Sequence, residues 1–303
     1  MKESGRPTVR GATLSSLGFS RVVAGMWRVP DWKMSARELS DFVRGSIERG
    51  VSTFDHADIY GCGAVETLFG EALSSIPGLR EKLQIIGKAG IRLPSSPGVQ
   101  TKHYDTGAAY LRDAVDQSLR RLKTDYLDLF LIHRPDPLTC MDEIADVVQA
   151  LKQAGKIRAF GVSNFSVRQF DLLHAKTALA TNQIEFSPFE TGAVQSDMFA
   201  VLSDAAVSPM IWSPLGGGRL FSETDPVAVR VRTVMKSIQQ QTGAASWLAV
   251  AYAWVFRLPG TPYVIMGSRR EEALRDAFEG LQLQLCKEHW FAILEAARGH
   301  PVA

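Results

Sequence analysis

Four ionisable side chains end otherwise apolar stretches or stand just beyond one. Asp55 follows Val51–Phe54, Lys88 follows Leu83–Gly87, His133 follows Tyr126–Ile132, and Tyr60 lies five residues past Asp55. Partly removed from water, such groups act on one another: a nearby ammonium stabilises tyrosinate and draws the phenol pKa down, and a carboxylate keeps that ammonium protonated and fixed. The set reads as a tuned proton donor. Tyr60 would supply a proton near neutral pH, Lys88 and Asp55 would set its acidity, and His133 would hydrogen-bond the same substrate oxygen. Each residue alone has a plainer reading, a surface salt bridge for a strand-end Asp or Lys and a packed ring for a His. The joint placement argues for chemistry. No metal is required, and His103, His174, His289 and His300 lack ligand spacing. His56 reads as a local hydrogen-bonding group, and Asp58 has no assigned role.

If an oxygen is protonated, something must supply the other half of the reaction. Ser163 and Asn164, Gln183, and the pair Trp212 and Ser213 offer hydroxyl, amide and flat aromatic partners at later strand ends. A nicotinamide suits that mixture, because its carboxamide donates and accepts while its ring stacks on an indole. The structural alternative is that Asn164 and Ser166 cap the next helix and Trp212 is core. The run Gly216-Gly217-Gly218-Arg219 offers backbone amides that an anion can approach closely, although no GxGxxG follows any strand. Ser268 and Glu271 have capping-box spacing. Arg269 and Arg270 in that same helix start oppose the helix dipole unless an anion neutralises them.

The elements that must position these residues alternate. Strands are expected at Arg21–Ala24, Val51–Asp55, Leu83–Lys88, Tyr126–His133, Ile157–Ser163, Thr181–Glu185, Met210–Ser213 and Tyr263–Met266, none alternating strictly as a half-exposed sheet would. Helical spacing runs through Ser35–Arg49, Ala64–Leu73, Asp105–Lys123, Met141–Ala154, Ser166–Lys176, Val194–Ala206, Pro226–Gln241 and Lys287–Ala297. A strand-like pair is expected around Val9–Phe19. Eight βα units in 303 residues without a composition shift predict an α/β fold, a (β/α)8 TIM barrel forming a single domain over 1–303, with residues 1–10 a flexible N-terminus. The Pro- and Gly-rich loops at 92–98 and 214–218 would then lie at the mouth, where barrel chemistry occurs.

Charge and cysteine content exclude other classes. With 34 basic and 32 acidic residues the net charge is +2, which gives a nucleic acid nothing to grip. Cys62, Cys140 and Cys286 are scattered and odd in number, as free thiols in a reducing compartment are. The longest apolar run, Trp247–Phe256, is about half a bilayer span. A cytoplasmic protein, monomer or weak homodimer, with no membrane partner is expected.

The motifs FDHADIYG with GEAL, IGK, LFLIHRPDP, GKIRAFGVSNF, TNQIEFSP, WSPLGGGRLF and VIMGS resemble the aldo-keto reductase superfamily over nearly the whole chain, within it the YdhF-like bacterial oxidoreductase branch. The resemblance implies reduction of a small-molecule aldehyde or ketone by NADPH, with NADH not excluded, on a barrel whose tetrad is Asp55, Tyr60, Lys88 and His133. It also implies cofactor contacts. Gly25, Met26 and Trp27 would lie beside nicotinamide and substrate, Ser163, Asn164 and Gln183 on the carboxamide, and Trp212 on the ring. Ser213, Leu215, Gly216 and Gly218 would line the pyrophosphate, with Ser268 and Arg269 near the adenosine phosphate. The chain departs from the family pattern where Gly267 precedes Ser268, where Ala273, Asp276 and Ala277 replace the usual NADP signature, and where Arg134 replaces the aromatic after the catalytic histidine.

Two competing readings keep the barrel. One is a cofactor-binding redox sensor with little turnover. The other is a Schiff-base aldolase, which would need Lys88 desolvated and neutral rather than paired with Asp55.

Overall fold

The computed structural model describes residues 11–302. Eight parallel strands close a barrel in chain order: β1 Val22–Gly25, β2 Thr53–Asp55, β3 Gln84–Ala89, β4 Leu127–Ile132, β5 Ile157–Ser163, β6 Asn182–Glu185, β7 Met210–Trp212 and β8 Tyr263–Met266. Every one lies within a residue or two of its sequence expectation. The reason is burial. A parallel strand covered on both faces is mostly apolar, and β1, β2, β4 and β8 are buried at every position, with Thr53, Asp55 and Asp128 as buried polar exceptions.

The chain divides into two compact units, the first ending at Gln183 and the second beginning at Ile184. In the first unit the register is Asp55 beside Ile86, Lys88 beside Leu131 and Ser163 beside Gln183, which brings the strand-end residues level. Its helices are α1 Ala36–Glu48, α2 Ala64–Ser74, α3 Ala108–Leu122, α4 Met141–Gln153 and α5 Val167–His174. Capping fixes two of their starts: Ser35 with Glu38 and Ser166 with Gln169 each form a complete capping box. Ser166 is thus a cap, whereas Asn164 is not and sits at φ 58.

In the second unit, α6 Met198–Asp204 is preceded by a short turn of helix at Gly192–Gln195, because Asp197 adopts a left-handed φ of 56 and breaks the expected Val194–Ala206 helix. Then follow α7 Pro226–Thr242, α8 Trp247–Phe256, α9 Glu271–Gln282 and α10 Lys287–Arg298. The apolar run is α8, buried nearly all round by α7 and α9 partners. Among the described residues no helix is long and apolar enough to cross a membrane.

Two expectations need correction. The strand-like pair near Val9–Phe19 falls partly outside the described residues, and Gly11–Phe19 holds turns closed by Leu17 and Phe19 amides rather than a strand. Ser268 and Glu271 form no capping box: Arg270 is the N-cap of α9, Ser268 Oγ accepts only from the Arg270 amide at 3.3 Å, and Glu271 pairs with Arg275. The flexible N-terminus expected for residues 1–10 lies outside the described residues.

Candidate active site

The first unit assembles the tetrad. Lys88 Nζ meets Asp55 Oδ2 at 2.6 Å, and both side chains are buried. The Lys88 ammonium stands 5.0 Å from the centre of the Tyr60 ring, and the His133 ring meets Tyr60 edge-on at 6.1 Å between centroids. Gln183 Nε2 donates to the other oxygen of Asp55 at 2.9 Å, so that carboxylate is held from two sides. The approach is set locally. Asp55 ends β2, the amides of His56 and Asp58 bond the carbonyls of Ile86 and Lys88 on β3, and the short turn Tyr60–Gly63 projects the phenol beside them.

Electrostatics decide the protonation states. Burial pushes the Tyr60 phenol well above its ordinary value, and the charges of Asp55 and Asp58 push it further, against the pull of Arg134. Sequence reasoning expected Lys88 to bring Tyr60 down. In the structure burial outweighs that ammonium, so the phenol keeps its proton until a stronger base takes it. Burial lowers Lys88 itself, while Asp55 opposes that shift by attraction and by its hydrogen bond. His133 is held neutral, well below the usual value, by burial and then by Lys88 and Arg134; its Nδ1 is buried without a hydrogen-bond partner. A Schiff-base role would need the Lys88 amine free, and its 2.6 Å contact with Asp55 weighs against that.

The same unit gathers three polar residues that the nicotinamide reading used. Ser163 Oγ donates to the Gln183 carbonyl at 2.9 Å and accepts from Asn164 Nδ2 at 2.7 Å. Gly25 and Met26 are buried, Met26 bonding through its amide to the Asp55 carbonyl, whereas the Trp27 indole is 62% exposed. Hydroxyl and two amides together match a carboxamide, which needs donors and acceptors at once.

In the second unit Trp212 ends β7 half-buried, and Ser213 follows at φ 53. The turn Gly216–Phe221 holds Gly216, Gly217 and Gly218 at φ 59, 64 and 100, successive left-handed residues, with the Gly216 and Gly218 amides donating to the Ser213 and Leu215 carbonyls inside the turn. A Cβ on Gly216 would lie 2.3 Å from the Phe189 ring, so glycine is obligatory there. Arg219 covers that ring at 4.3 Å and pairs with Asp225. Leu215 precedes the turn, and Ser268 and Arg269 follow β8, the arginine exposed. Taken separately, the first unit offers amides and a hydroxyl that suit a carboxamide, and the second an indole and a glycine turn.

Sequence reasoning missed the residues behind Tyr60. Tyr110, Glu66 and Arg121 bear on Asp58, and Glu66 and Arg121, which are 55 positions apart, bond at 2.7 Å. No local pattern joins them.

A closed (β/α)8 barrel with these side chains at its strand ends defines a barrel enzyme. The Aldo/keto reductase family model matches residues 21–298, and the chain belongs to that family of oxidoreductases. It is 44% identical to Oxidoreductase YdhF of Escherichia coli over 94% of this chain and 95% of that one. It is 42% identical to Uncharacterized oxidoreductase YcsN of Bacillus subtilis, over 94% and 97%. A 6-dehydroglucose reductase of Agrobacterium fabrum is 38% identical over 97% and 99%. Among solved structures, a glycerol dehydrogenase from Gluconobacter oxydans superposes with a TM-score of 0.79, 25% identity and 94% coverage of each chain.

Proposed function

We propose that this protein is an NADPH-dependent carbonyl reductase that converts a small aldehyde or ketone to the alcohol. The observation that carries the reading is the buried Lys88–Asp55 pair at 2.6 Å with the Tyr60 ring 5.0 Å from the ammonium and His133 edge-on to the same ring. When bound, the nicotinamide supplies a hydride to the carbonyl carbon. Tyr60 holds the proton that goes to the carbonyl oxygen, and neutral His133 donates a hydrogen bond to that oxygen. Lys88 offsets the charge left on the tyrosine once the proton has gone, and Asp55 and Gln183 keep the lysine in place. Ser163, Asn164 and Gln183 would orient the carboxamide, with Gly25, Met26 and Trp27 beside nicotinamide and substrate and Trp212 against the ring. Ser213, Leu215, Gly216 and Gly218 would hold the pyrophosphate, and Ser268 and Arg269 the adenosine phosphate. The protein acts in the cytoplasm as a monomer or weak homodimer in this reading.

The name of the Agrobacterium relative makes 6-dehydroglucose one carbonyl compound to include in a substrate panel. The first test is tryptophan-quenching titration with NADPH and with NADH, repeated on Arg269→Ala. Saturable NADPH binding that weakens about tenfold in the variant, with NADH binding unchanged, supports the reading and makes Arg269 the phosphate reader. Equal binding of both nucleotides removes that role, and binding of neither by folded protein overturns the assignment.

A further inference from the structure

The loop that carries Tyr60 carries a second buried acid. Asp58 accepts a hydrogen bond from the Tyr110 hydroxyl through Oδ2 at 3.0 Å, while Oδ1 is buried without a partner. Its amide donates to the Lys88 carbonyl at 3.0 Å, which ties it to the strand residue that pairs with Asp55. Glu66 repeats the pattern from α2: Arg121 holds one oxygen at 2.7 Å, and Oε1 is buried and unpartnered. An ionised carboxylate can accept about four hydrogen bonds, so a buried oxygen without a protein donor is costly in the charged form and cheap in the protonated one.

We propose that Asp58 is a positioning residue for proton transfer at Tyr60, its protonation state switching the charge that this loop presents to the phenol and to the Lys88 ammonium. The inference rests on Tyr60 being the proton donor of the proposed reduction. The groups bearing on Asp58 are Tyr110 and Arg121 from α3, Glu66 from α2, Lys88 from β3 and Tyr60 on its own loop. Burial and then Glu66 push Asp58 up to about 7, against the Tyr110 hydrogen bond, Arg121 and a hydrogen bond from the Ile59 amide. When ionised, Asp58 raises both Tyr60 and Lys88. A negative charge there opposes formation of tyrosinate, so reduction runs faster with Asp58 protonated and slows as pH rises through its midpoint. Tyr60 titrates well above that range and does not contribute the step.

The test follows two signals in the full-length protein across pH: NADPH-dependent reduction of an aromatic aldehyde, and the Tyr60 resonance in protein labelled with 13C at tyrosine Cζ, assigned by Tyr60→Phe. In the parent protein the rate should fall by about tenfold as pH rises past Asp58's midpoint, with a step in the Tyr60 resonance at the same pH. Asp58→Asn should abolish both steps and raise the alkaline rate to the acid-side level. Tyr110→Phe should move both steps to higher pH, since it removes a hydrogen bond that favours the carboxylate. Steps that survive unchanged in Asp58→Asn overturn the inference; if that variant does not fold, an unmoved midpoint in Tyr110→Phe does so. A Tyr60 step that depends on Asp58 in protein that reduces nothing would support the coupling and sink the proposed function instead.

Discussion

The two ends of the strands in the first unit treat buried charge in opposite ways. At the N-terminal ends, Asp128 is 1% exposed with both oxygens engaged: Arg80 at 2.8 Å and the Ile85 amide at 2.9 Å on one, Arg158 at 3.0 Å on the other. Both guanidiniums also lie over the Tyr126 ring, at 4.0 and 3.9 Å from its centre. At the C-terminal ends, Asp58, Glu66, His56 and His133 each keep at least one buried polar atom without a partner. A satisfied buried acid reinforces the fold, whereas an unsatisfied one is strongly perturbed and so available for chemistry. Asp55 stands apart at the C-terminal ends, both its oxygens held by Lys88 and Gln183, and under the proposed function the chemistry sits at that end while Asp128 steadies the other.

The strongest way to break that contrast is Tyr60→Phe. Its loss should lower turnover by about 10²–10⁴ while leaving nucleotide binding and the unfolding midpoint near the parent's, which steady-state kinetics with parallel urea melts would check. Asp128→Ala should do the reverse, costing about 3 kcal/mol in urea unfolding because it strips Arg80 and the Ile85 amide of their partner, with kcat of the folded fraction preserved. A kcat collapse there would erase the distinction.

Acid stability sharpens it further. Burial, and then Lys88, hold the His56 ring down to about 3, with both nitrogens unpartnered and the Phe69 ring 4.4 Å away. The folded state therefore binds fewer protons than the unfolded chain between about 6.5 and 3. Stability from this group is present above that window and lost as pH falls through it, by at most about 1.4 kcal/mol per unit. His56→Leu should flatten that slope, whereas Asp128→Ala should leave the His56 contribution in place; urea melts at several acid pH values would read both.

The smallest effect concerns the glycine turn of the second unit. Gly216→Ala suffers both a positive φ and the Phe189 ring, while Gly217→Ala suffers the φ alone, with nothing within 4 Å of its new Cβ. The first should be less stable than the second by about 1–2 kcal/mol in thermal melts.

Much of the candidate site was legible because barrel strands are mostly apolar and ionisable residues at their ends interrupt that pattern. Asp55, Lys88 and His133 each stand out at the end of a hydrophobic run, and the structure brings all three around Tyr60. The helix starts at Ser35 and Ser166 carry their caps in sequence. The Ser268 and Glu271 spacing carried the same signature and failed, because Arg270 rather than Ser268 takes the cap position. Spacing permits a capping box, but the backbone entering the helix decides it. Val194–Ala206 failed similarly at Asp197, whose left-handed backbone no periodicity reports.

The sequence by itself determined the alternation of elements, the family and the four ionisable side chains proposed for the proton-transfer site, since each depends on local pattern or on motif. Only the tertiary structure decided their protonation states. Those depend on desolvation and on charges brought close from far along the chain, Asp55 against Lys88, Glu66 against Arg121 and Tyr110 against Asp58, and such sums over space leave no trace in the order of the residues.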